Sequence, residues 1–480
     1  MSWVGELDLR ILRRVAGHRS AALDRTMPAL SRAANHGVLW EAVAAALAAT
    51  GNRQARRAAL RGLVALGVAS VSANVLSKRL VRRVRPAAEL VPLIRRPHPI
   101  PITTSFPSGH SASAAAFATA VALEAPALAV PVAALAGGVA VSRVVTGAHF
   151  PTDVLAGVAL GAGVATATQI WWPRRPPGPA AAGEPDRPAP ASPTGSGAVI
   201  VVNPGAGTAD GVLDTLRAEL PDADIVRLSE DDDPEEVLRA AAGRAKVLGI
   251  AGGDGTINTA ARHAAARDVP LLVVPAGTLN HFAGELGVAT VSDAVAALRA
   301  GSAVRVDLGR AGDEIFLNTF SVGLYPDLVR FRERWEPRVG KWPAMLIGLH
   351  HTLRRGRPQE LLVDGEPRTL WMVFAGNGEY RPQGFAPTFR PRLDDGRLDL
   401  RIFDATVRFA VTRLVLGALT RTLRYSPAYR FDLVRGLTLR APDGDTLDLC
   451  VDGELRQGPG EIELRVDPAA LLVYRPDSGN

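Results

Sequence analysis

The stretch Ser142-Arg-Val-Val-Thr-Gly-Ala-His149-Phe-Pro-Thr-Asp153 decides how the first third of the chain folds and what it can do. It places a serine–arginine pair before a histidine, and an aspartate one helical turn after it. A histidine and an aspartate at this spacing are by themselves a common pair on a helix surface. Upstream, however, lie Pro107-Ser-Gly-His110 and a basic run from Lys78 to Arg85-Pro86. The three groups together indicate a site for phosphate chemistry.

These polar groups fall at the ends of apolar stretches, which cover approximately residues 37–52, 62–77, 111–123, 125–142 and 154–172. A membrane span needs about 20 residues, and the last stretch, which has no charge and ends at Trp171-Trp172, is the clearest candidate. Residues 4–32 mix apolar residues with arginines and predict an amphipathic helix at the membrane interface. So many apolar stretches in one third of a chain disfavour a soluble protein. We therefore predict an all-α membrane helical bundle over residues 1–172, with about five spans.

The composition agrees with a membrane bundle. The chain of 480 residues is 47% hydrophobic but only 5% aromatic, so its apolar mass is mostly small aliphatic residues. Its net charge of +7 could suggest nucleic acid, but no basic stretch carries interleaved aromatics, and arginines facing anionic lipid or phosphate explain the charge better. The single cysteine, Cys450, excludes an intramolecular disulfide and a cysteine cluster for zinc. The oligomeric state is left open by the sequence.

The three polar groups closely resemble the signatures of the type 2 phosphatidic acid phosphatase superfamily, membrane enzymes that cleave lipid phosphoesters and pyrophosphates without a metal. The resemblance implies that His149 is a nucleophile forming a phosphohistidine, that Asp153 holds its imidazole in the right tautomer, and that His110 protonates the leaving alkoxide. Histidine can form covalent intermediates, and its ordinary pKa suits proton transfer. A haloperoxidase-like activity is the alternative, because vanadate enzymes share these motifs, but the apolar surroundings disfavour it.

The same resemblance implies a set of residues around the phosphate oxygens. Arginine forks match phosphate geometry, and the free N–H groups at a helix start attract anions. The predicted phosphate-binding residues are Lys78, Arg85, Ser108, Gly109 and Arg143. Other members of the basic run, Arg79, Arg82 and Arg83, are predicted to face solvent or lipid, and His18, His36 and His98 to have ordinary loop or interfacial roles.

Residues 173–197 change composition abruptly, with eight prolines among alanine, glycine and serine. This predicts an extended, semi-rigid linker without a core. From Ala198 onward, buried strands alternate with helices, which is typical of an α/β domain. One strand runs into Gly252-Gly-Asp-Gly-Thr256, and the glycines there let backbone N–H groups approach phosphates. The sequence thus predicts a second, separate phosphate-handling domain.

The glycine loop, Pro275-Ala-Gly-Thr-Leu-Asn-His-Phe-Ala283, Arg305-Val-Asp307 and Val451-Asp452-Gly-Glu454 together resemble the diacylglycerol kinase catalytic family. The resemblance implies an α/β nucleotide-binding domain over residues 198–301, a β-sandwich domain over 302–480, and ATP with Mg²⁺ as cofactors. Glu454 would be the general base for a lipid hydroxyl, and Asp307 and Asp452 would belong to the magnesium network. The implied nucleotide-binding residues are Asn203, Gly252, Gly253, Asp254, Gly255, Thr256, Gly277, Thr278 and Asn280.

Two positions depart from the family pattern. His281 stands where the family commonly has aspartate, and Thr259 stands where it commonly has an acidic residue. These departures motivate an alternative in which the kinase-like domain senses nucleotide or lipid without transferring phosphate. The segments Arg408–Arg424 and Trp342–Arg355 are amphipathic, and they are predicted to pack on the sandwich, with contact to the bilayer as the other possibility.

Counting apolar stretches gives a prediction of sidedness. Only the stretch 154–172 separates the phosphatase motifs from the kinase sequence. If it spans, the two sites face opposite sides of the cell membrane, with the kinase in the cytoplasm beside ATP and the phosphatase facing outward. The sequence therefore predicts a multi-pass, bifunctional lipid-phosphate enzyme whose partners are membrane lipids and ATP, with no nucleic acid. It does not identify the lipid for either half.

Overall fold

A computed structural model gives the fold of two compact units, Met1–Arg174 and Arg175–Asn480, and each is described here by itself. The structure describes residues 3–50, 53–77, 83–97, 104–170, 172–173, 178–185, 188–206, 209–229, 231–277, 280–383, 389–420 and 422–477.

The first unit is helical. Its helices are α1 Trp3–Gly17, α2 Ala21–Ala33, α3 Val38–Ala49, α4 Arg53–Val71, α5 Gly109–Glu124, α6 Ala129–Val145 and α7 Pro151–Ala167. Helices α3 to α7 coincide with the five apolar stretches of the sequence. Among the described residues, two helical segments, Pro126–Val145 and Pro151–Ile170, are long and apolar enough to cross a membrane. These two helices suggest membrane association.

Close contact between α5 and α7 depends on glycine. A Cβ on Gly161 would lie 2.1 Å from the carbonyl oxygen of Ala112, and a Cβ on Gly157 would lie 2.4 Å from that of Ser108. Small residues at such positions let helix backbones approach each other, as in membrane bundles. The approach brings the start of α5 beside the start of α7, where Asp153 lies. The two motifs are therefore joined by backbone packing.

The N-terminal helices differ from the single interfacial helix predicted for residues 4–32. α1 packs against α6 and α7, and its Asp8 and Leu12 are buried. α2 packs against α6 and buries Ser31. The prediction missed this packing because the partners of Asp8 and Ser31 lie far away in the sequence.

The second unit consists of strands and helices. Its strands are β1 Ala198–Val202, β2 Asp224–Arg227, β3 Val247–Gly252, β4 Leu271–Pro275, β5 Ala303–Ala311, β6 Glu314–Phe316, β7 Thr319–Gly323, β8 Gln359–Val363, β9 Glu366–Asn377, β10 Leu398–Asp404, β11 Tyr429–Val434, β12 Gly436–Arg440, β13 Leu447–Val451, β14 Glu454–Gly458 and β15 Glu461–Tyr474. Its helices are α8 Ala209–Glu219, α9 Pro234–Arg244, α10 Asp254–Ala266, α11 His281–Leu286, α12 Val291–Ala300, α13 Leu324–Val339, α14 Lys341–Arg355 and α15 Ala410–Thr420.

The strands β1 to β4 pair in parallel in the order β4-β3-β1-β2 and are linked by helices, which confirms the predicted α/β part. The strands β5 to β14 pair antiparallel, as a sandwich requires. The long strand β15 joins both parts, because it pairs antiparallel with β5 and β12 and reaches β4 in parallel at Val473. Its Leu471 and Tyr474 belong to the apolar core of the α/β part. The chain therefore returns to the α/β part after residue 302, and that position is not a simple domain boundary.

The predicted linker also differs from expectation. Ala180 donates to the Glu285 carbonyl at 2.8 Å, and Ala181 exchanges backbone hydrogen bonds with the segment at Pro391–Leu393. Ala189 and Ser192 are buried. The described part of residues 178–197 is thus a strap on the second unit. The N–H groups of Ala180 and Ala181 are hydrogen-bonded, whereas the prolines of this segment have no N–H group to donate.

Candidate active sites

The first unit contains a cavity of about 380 Å³. Five residues that the sequence proposed for phosphate chemistry line it together, and they come from three separate segments: Arg85, Gly109, His110, Arg143 and His149. A further predicted phosphate-binding residue, Lys78, lies outside the described residues. The spacing of the apolar stretches was therefore enough to predict that these side chains meet.

His149 is buried, and its tautomer follows from its two partners. Its Nδ1 lies 2.7 Å from the carbonyl oxygen of Ser105, which can only accept, so Nδ1 carries the proton. Its Nε2 lies 3.3 Å from Nη1 of Arg85, which can only donate, so Nε2 presents a lone pair. Burial, and next the positive charges of Arg85 and Arg143, hold the pKa of His149 well below its usual range. The ring is therefore neutral, with the unprotonated Nε2 facing the guanidinium of Arg85.

Asp153 does not contact the His149 ring as the sequence analysis expected. Its carboxylate accepts hydrogen bonds from the hydroxyl of Ser105, from the N–H of Phe150 at 2.9 Å and from Nη1 of Arg83 at 2.7 Å. Ser105 in turn holds His149 through its carbonyl oxygen. Asp153 therefore orients the histidine through Ser105. A spacing of four residues could not reveal this, because Ser105 lies in a different loop.

Arg143 reaches the cavity from α6 and is 4% exposed. Its Nη1 donates to the hydroxyl of Ser31, while its buried Nε has no hydrogen-bond partner in the described part of the chain. A buried donor without a partner is costly. A phosphate oxygen in the cavity would satisfy it.

Ser108 is placed differently from the prediction. It is fully buried, its N–H donates to the carbonyl oxygen of Asp153 at 2.9 Å, and its hydroxyl accepts from Ser111 as the N-cap of α5. Ser108 therefore fixes the start of α5 and is not part of the cavity lining. Gly109, at the first position of the helix, does line the cavity and is the amide available for an anion.

Besides Ser105, the sequence analysis missed four residues that support this site. Asn35 lies 2.9 Å from His110, Ser31 bonds Arg143, and Arg83 joins two acids, with its Nη2 2.6 Å from Asp8 and its Nη1 2.7 Å from Asp153. Arg83 had been predicted to face solvent or lipid, but its guanidinium also lies 4.5 Å from the Phe150 ring centre. Membership in the basic run was the available signal for Arg83. Asp8, Ser31 and Asn35 stood in no recognisable motif.

In the second unit the two glycine-rich loops lie against each other. A Cβ on Gly277 would lie 2.8 Å from the Cα of Gly253, and a Cβ on Gly255 would lie 2.3 Å from a carboxylate oxygen of Glu454. Glycine is thus required where the two loops approach each other, and the Glu454 carboxylate lies directly beside the backbone of α10. The predicted base and the predicted phosphate-binding loop meet in space.

Further predicted residues complete this arrangement. Asn203 donates to the hydroxyl of Thr256 at 3.0 Å, which connects the end of β1 to the start of α10. The Asp254 carboxylate lies 3.4 Å from the N–H groups of both His281 and Phe282. Asn280 has a buried side-chain oxygen without a partner among the described residues. Gly252 also belongs to this loop, whereas Thr278 lies outside the described residues.

These loops fit nucleotide phosphates. A Cβ on Gly253 would meet nothing within 4 Å, so the backbone there is open to a phosphate, and the free N–H groups of the first turn of α10 follow directly. The carboxylates of Asp254 and Glu454 adjoin the same loop, and carboxylate oxygen is a ligand that Mg²⁺ accepts.

Asp307 and Asp452, which were predicted for the magnesium network, both accept hydrogen bonds from backbone N–H groups. Asp452 accepts from the N–H groups of Leu317, Asn318 and Thr319 at 2.7–2.8 Å. Asp307 accepts from the N–H groups of Gly396 and Ala469 at 2.6 and 2.8 Å.

Burial raises the pKa of Asp452 to about 6 and raises that of Asp307, against these hydrogen bonds. In the described residues, no group of three or more His, Cys, Asp or Glu side chains is placed to hold a metal. The place of Asp307 and Asp452 in a magnesium network stays a prediction, because a motif gives the position of a carboxylate but not the direction in which it points.

Comparison with known families finds a match in each unit. The model of the PAP2 superfamily matches residues 58–177, and that of the diacylglycerol kinase catalytic domain matches residues 197–311. A diacylglycerol kinase of Mycobacterium tuberculosis is 30% identical over 275 residues, which are 53% of this chain and 86% of the relative. The decaprenylphosphoryl-5-phosphoribose phosphatase of Mycolicibacterium smegmatis is 40% identical over 136 residues, which are 27% of this chain and 68% of the relative.

The chain belongs to both families. Its first unit is a PAP2 domain and its second is a lipid kinase domain of the diacylglycerol kinase type. Among solved structures, a putative diacylglycerol kinase from Bacillus anthracis matches 58% of this chain and 97% of its own chain, at 21% identity and a TM-score of 0.46.

Proposed function

We propose that this PAP2–lipid kinase fusion is a bifunctional lipid-phosphate enzyme. One half hydrolyses a lipid phosphomonoester or pyrophosphate through a phosphohistidine, and the other transfers the γ-phosphoryl group of ATP to a lipid hydroxyl. The observation that carries the phosphatase half is the unprotonated Nε2 of His149 beside the guanidinium of Arg85, in a cavity that Arg143 also lines.

The phosphatase step uses this geometry directly. The Nε2 lone pair forms a bond to phosphorus while the bond from phosphorus to the lipid oxygen breaks, and His110 gives that oxygen a proton. Arg85, Arg143 and the amide of Gly109 stabilise the charge on the phosphoryl oxygens. Water then attacks phosphorus, His110 takes its proton, and the nitrogen–phosphorus bond breaks to release phosphate.

In the kinase half the Glu454 carboxylate takes the proton of the lipid hydroxyl, and the oxygen forms its bond to the γ-phosphorus as the bond to ADP breaks. The glycine loops around Gly253 and Gly277 hold the phosphates through backbone N–H groups. Bound Mg²⁺ would neutralise charge on these phosphates, and Asp254, beside the same loop, is the residue that would hold it, whereas Glu454 keeps the role of base. Asp307 and Asp452 support the fold under the site.

A second candidate for the kinase half is a nucleotide or lipid sensor that transfers nothing. The observation that favours it is the bonding of Asp307 and Asp452 to backbone, together with the non-acidic His281 and Thr259, the latter with its hydroxyl on the Gly255 carbonyl. The experiment is incubation of the purified full-length protein with Mg-ATP and diacylglycerol. Appearance of phosphatidic acid supports the kinase, whereas nucleotide binding without any lipid phosphorylation across a panel of lipid alcohols supports the sensor.

The substrate panel for the phosphatase follows from the relatives. We propose phosphomonoesters on membrane lipids, and the panel contains phosphatidic acid, phosphatidylglycerol phosphate and a polyprenylphosphoryl-phosphoribose, the compound class that the printed name of one relative gives. Release of inorganic phosphate in the presence of a chelator supports the metal-free mechanism. A requirement for added metal, or for vanadate, would contradict it.

We further propose that the protein is a multi-pass membrane protein with the phosphatase cavity facing outward and the kinase in the cytoplasm. The basis is the apolar segment Pro151–Ile170, which follows the last phosphatase motif. Leu93, which is 78% exposed, and the exposed Ser196 are suitable cysteine positions after replacement of Cys450 by alanine. An impermeant thiol reagent should label Leu93→Cys in intact cells and spare Ser196→Cys. Equal labelling of both would refute the proposed sidedness.

A further inference from the structure

The turn Asn35–Gly37 between α2 and α3 forms one wall of the phosphatase cavity. Two successive residues there have positive φ, His36 at 56° and Gly37 at 85°. A residue other than glycine is uncommon in this conformation, and it persists where the surroundings determine the backbone strongly. The turn redirects the chain from α2 into α3 and leaves Asn35 at the cavity.

Asn35 makes a hydrogen bond that bears on the reaction. Its side-chain oxygen Oδ1 lies 2.9 Å from Nε2 of His110. An amide oxygen only accepts, so Nε2 of His110 has to carry a proton. Asn35 therefore holds the Nε2 proton and fixes the orientation of the ring, so that Nδ1 is the nitrogen that exchanges a proton with the substrate. An acceptor at this place also stabilises the positively charged ring, which is the stronger acid.

We infer that Asn35 is a positioning residue for protonation of the leaving group by His110. The inference rests on the proposed phosphatase function and goes beyond it, because it names the residue that prepares the acid. Protonation has to occur as the bond from phosphorus to the lipid oxygen breaks, and a ring free to rotate would seldom have its proton in place. The proton moves from Nδ1 of the positively charged His110 ring to the lipid oxygen. This leaves a neutral ring whose remaining proton is on Nε2 toward Asn35, and Asn35 itself gains and loses nothing.

The family model does not cover Asn35. Residue 35 precedes the segment 58–177 that matches the family model. The preceding helix supplies a second contact of a different kind, from Ser31 to Arg143. One N-terminal segment thus supports two separate tasks, proton donation at His110 and phosphate binding at Arg143. This separation provides a matched control.

The experiment compares two substrates in the purified full-length protein. p-Nitrophenyl phosphate has a leaving group that departs without a proton, whereas the diacylglycerol oxygen of phosphatidic acid needs one. Asn35→Ala should slow phosphoenzyme formation from phosphatidic acid by about tenfold to a hundredfold and from p-nitrophenyl phosphate by less than about threefold. Rapid quenching separates this step from the hydrolysis of the phosphoenzyme, which both substrates share. Asn35→Asp, which keeps an acceptor oxygen at the same place, should restore most of the activity on phosphatidic acid.

The control is Ser31→Ala, which acts through Arg143. It should weaken both substrates equally and mainly through KM, because both carry the phosphate that Arg143 binds. An equal loss with both substrates in Asn35→Ala would overturn the inference and leave the phosphatase function standing, as would full activity of Asn35→Ala on phosphatidic acid. Failure of the native protein to hydrolyse either substrate would overturn the proposed function itself.

Discussion

The cavity of the first unit and the glycine loops of the second unit differ in how far short motifs determine a site. In the first unit, five motif residues line one cavity, and the main surprise is an intermediary, Ser105, between Asp153 and His149. In the second unit, the glycine loops and Glu454 meet, but Asp307 and Asp452 bond to backbone. The comparison teaches that motifs at helix ends predict which residues meet better than they predict what each side chain contacts, since Asp153 and Ser108 bond to other partners than expected.

The physical reason lies in the elements that carry the residues. Arg143 is in the last turn of α6, and Gly109 and Asp153 are in the first turns of α5 and α7, so helix lengths alone bring them to the same end of the bundle. Asp452, in contrast, lies in the turn after β13, with φ of 49°. The three N–H groups that donate to its carboxylate lie 133 to 135 residues earlier in the sequence. No local pattern shows which way such a carboxylate points.

The largest effect is expected at His149. His149→Ala should lower phosphate release at least about a thousandfold, because no other group can take the place of the nucleophile, and should leave ATP-dependent phosphorylation unchanged. The measurement is phosphate release from phosphatidic acid, with acid-labile phosphoenzyme trapped by rapid quenching. His18→Ala serves as the control, because His18 lies between α1 and α2 away from the cavity lining. Persistent phosphoenzyme in His149→Ala would refute the assignment.

The corresponding test in the second unit is Glu454→Gln. Loss of a general base should lower lipid phosphorylation by about a hundredfold to ten-thousandfold and leave phosphate release intact. Glu461→Gln is the matched control, since Glu461 is an exposed glutamate at the start of β15. If Glu454→Gln phosphorylated lipid at the native rate, Glu454 would not be the base.

The two buried aspartates distinguish a metal role from a structural one. Asp452→Ala leaves three backbone N–H groups without their acceptor, and each unsatisfied group costs about 1–3 kcal/mol. We therefore expect a lower melting temperature of the second unit and a loss of kinase activity that added magnesium does not restore. Calorimetry together with a magnesium titration checks this. A native melting temperature with activity restored by high magnesium would return Asp452 to the metal network.

The smallest expected effect concerns pH. The pKa of His149 lies well below its ordinary value, so its neutral, nucleophilic form persists as the pH falls. The acid limb of kcat/KM for the phosphatase that belongs to His149 should therefore lie below pH ~6.5, the ordinary value for histidine. A pH profile with p-nitrophenyl phosphate, whose leaving group needs no acid, isolates this limb. An acid limb at or above the ordinary histidine value would show that burial and the arginine charges do not act on the nucleophile as described.

Much of this architecture was predictable from the sequence. The helical first unit, the α/β part and the meeting of His110, Arg143 and His149 follow from apolar stretches and motif positions. The packing of Asp8 and the contacts made by the described part of residues 178–197 could not be predicted from the sequence. Both depend on contacts between residues that are distant in the sequence. The parallel pairing of β15 with β4 also joins segments that are distant in the sequence. Periodicity identifies elements, but it does not show which distant residue satisfies a given polar group.

The central claim is that one chain carries two independent phosphate-transferring sites. The most direct test is one reaction mixture with the purified full-length protein, ATP carrying one radiolabel on its γ-phosphate, and phosphatidic acid carrying another, with diacylglycerol as acceptor. The account predicts that the native protein releases label from phosphatidic acid and transfers label to diacylglycerol, that His149→Ala loses only the release, and that Glu454→Gln loses only the transfer. Loss of both activities in either single variant, or no transfer by the native protein, would contradict it.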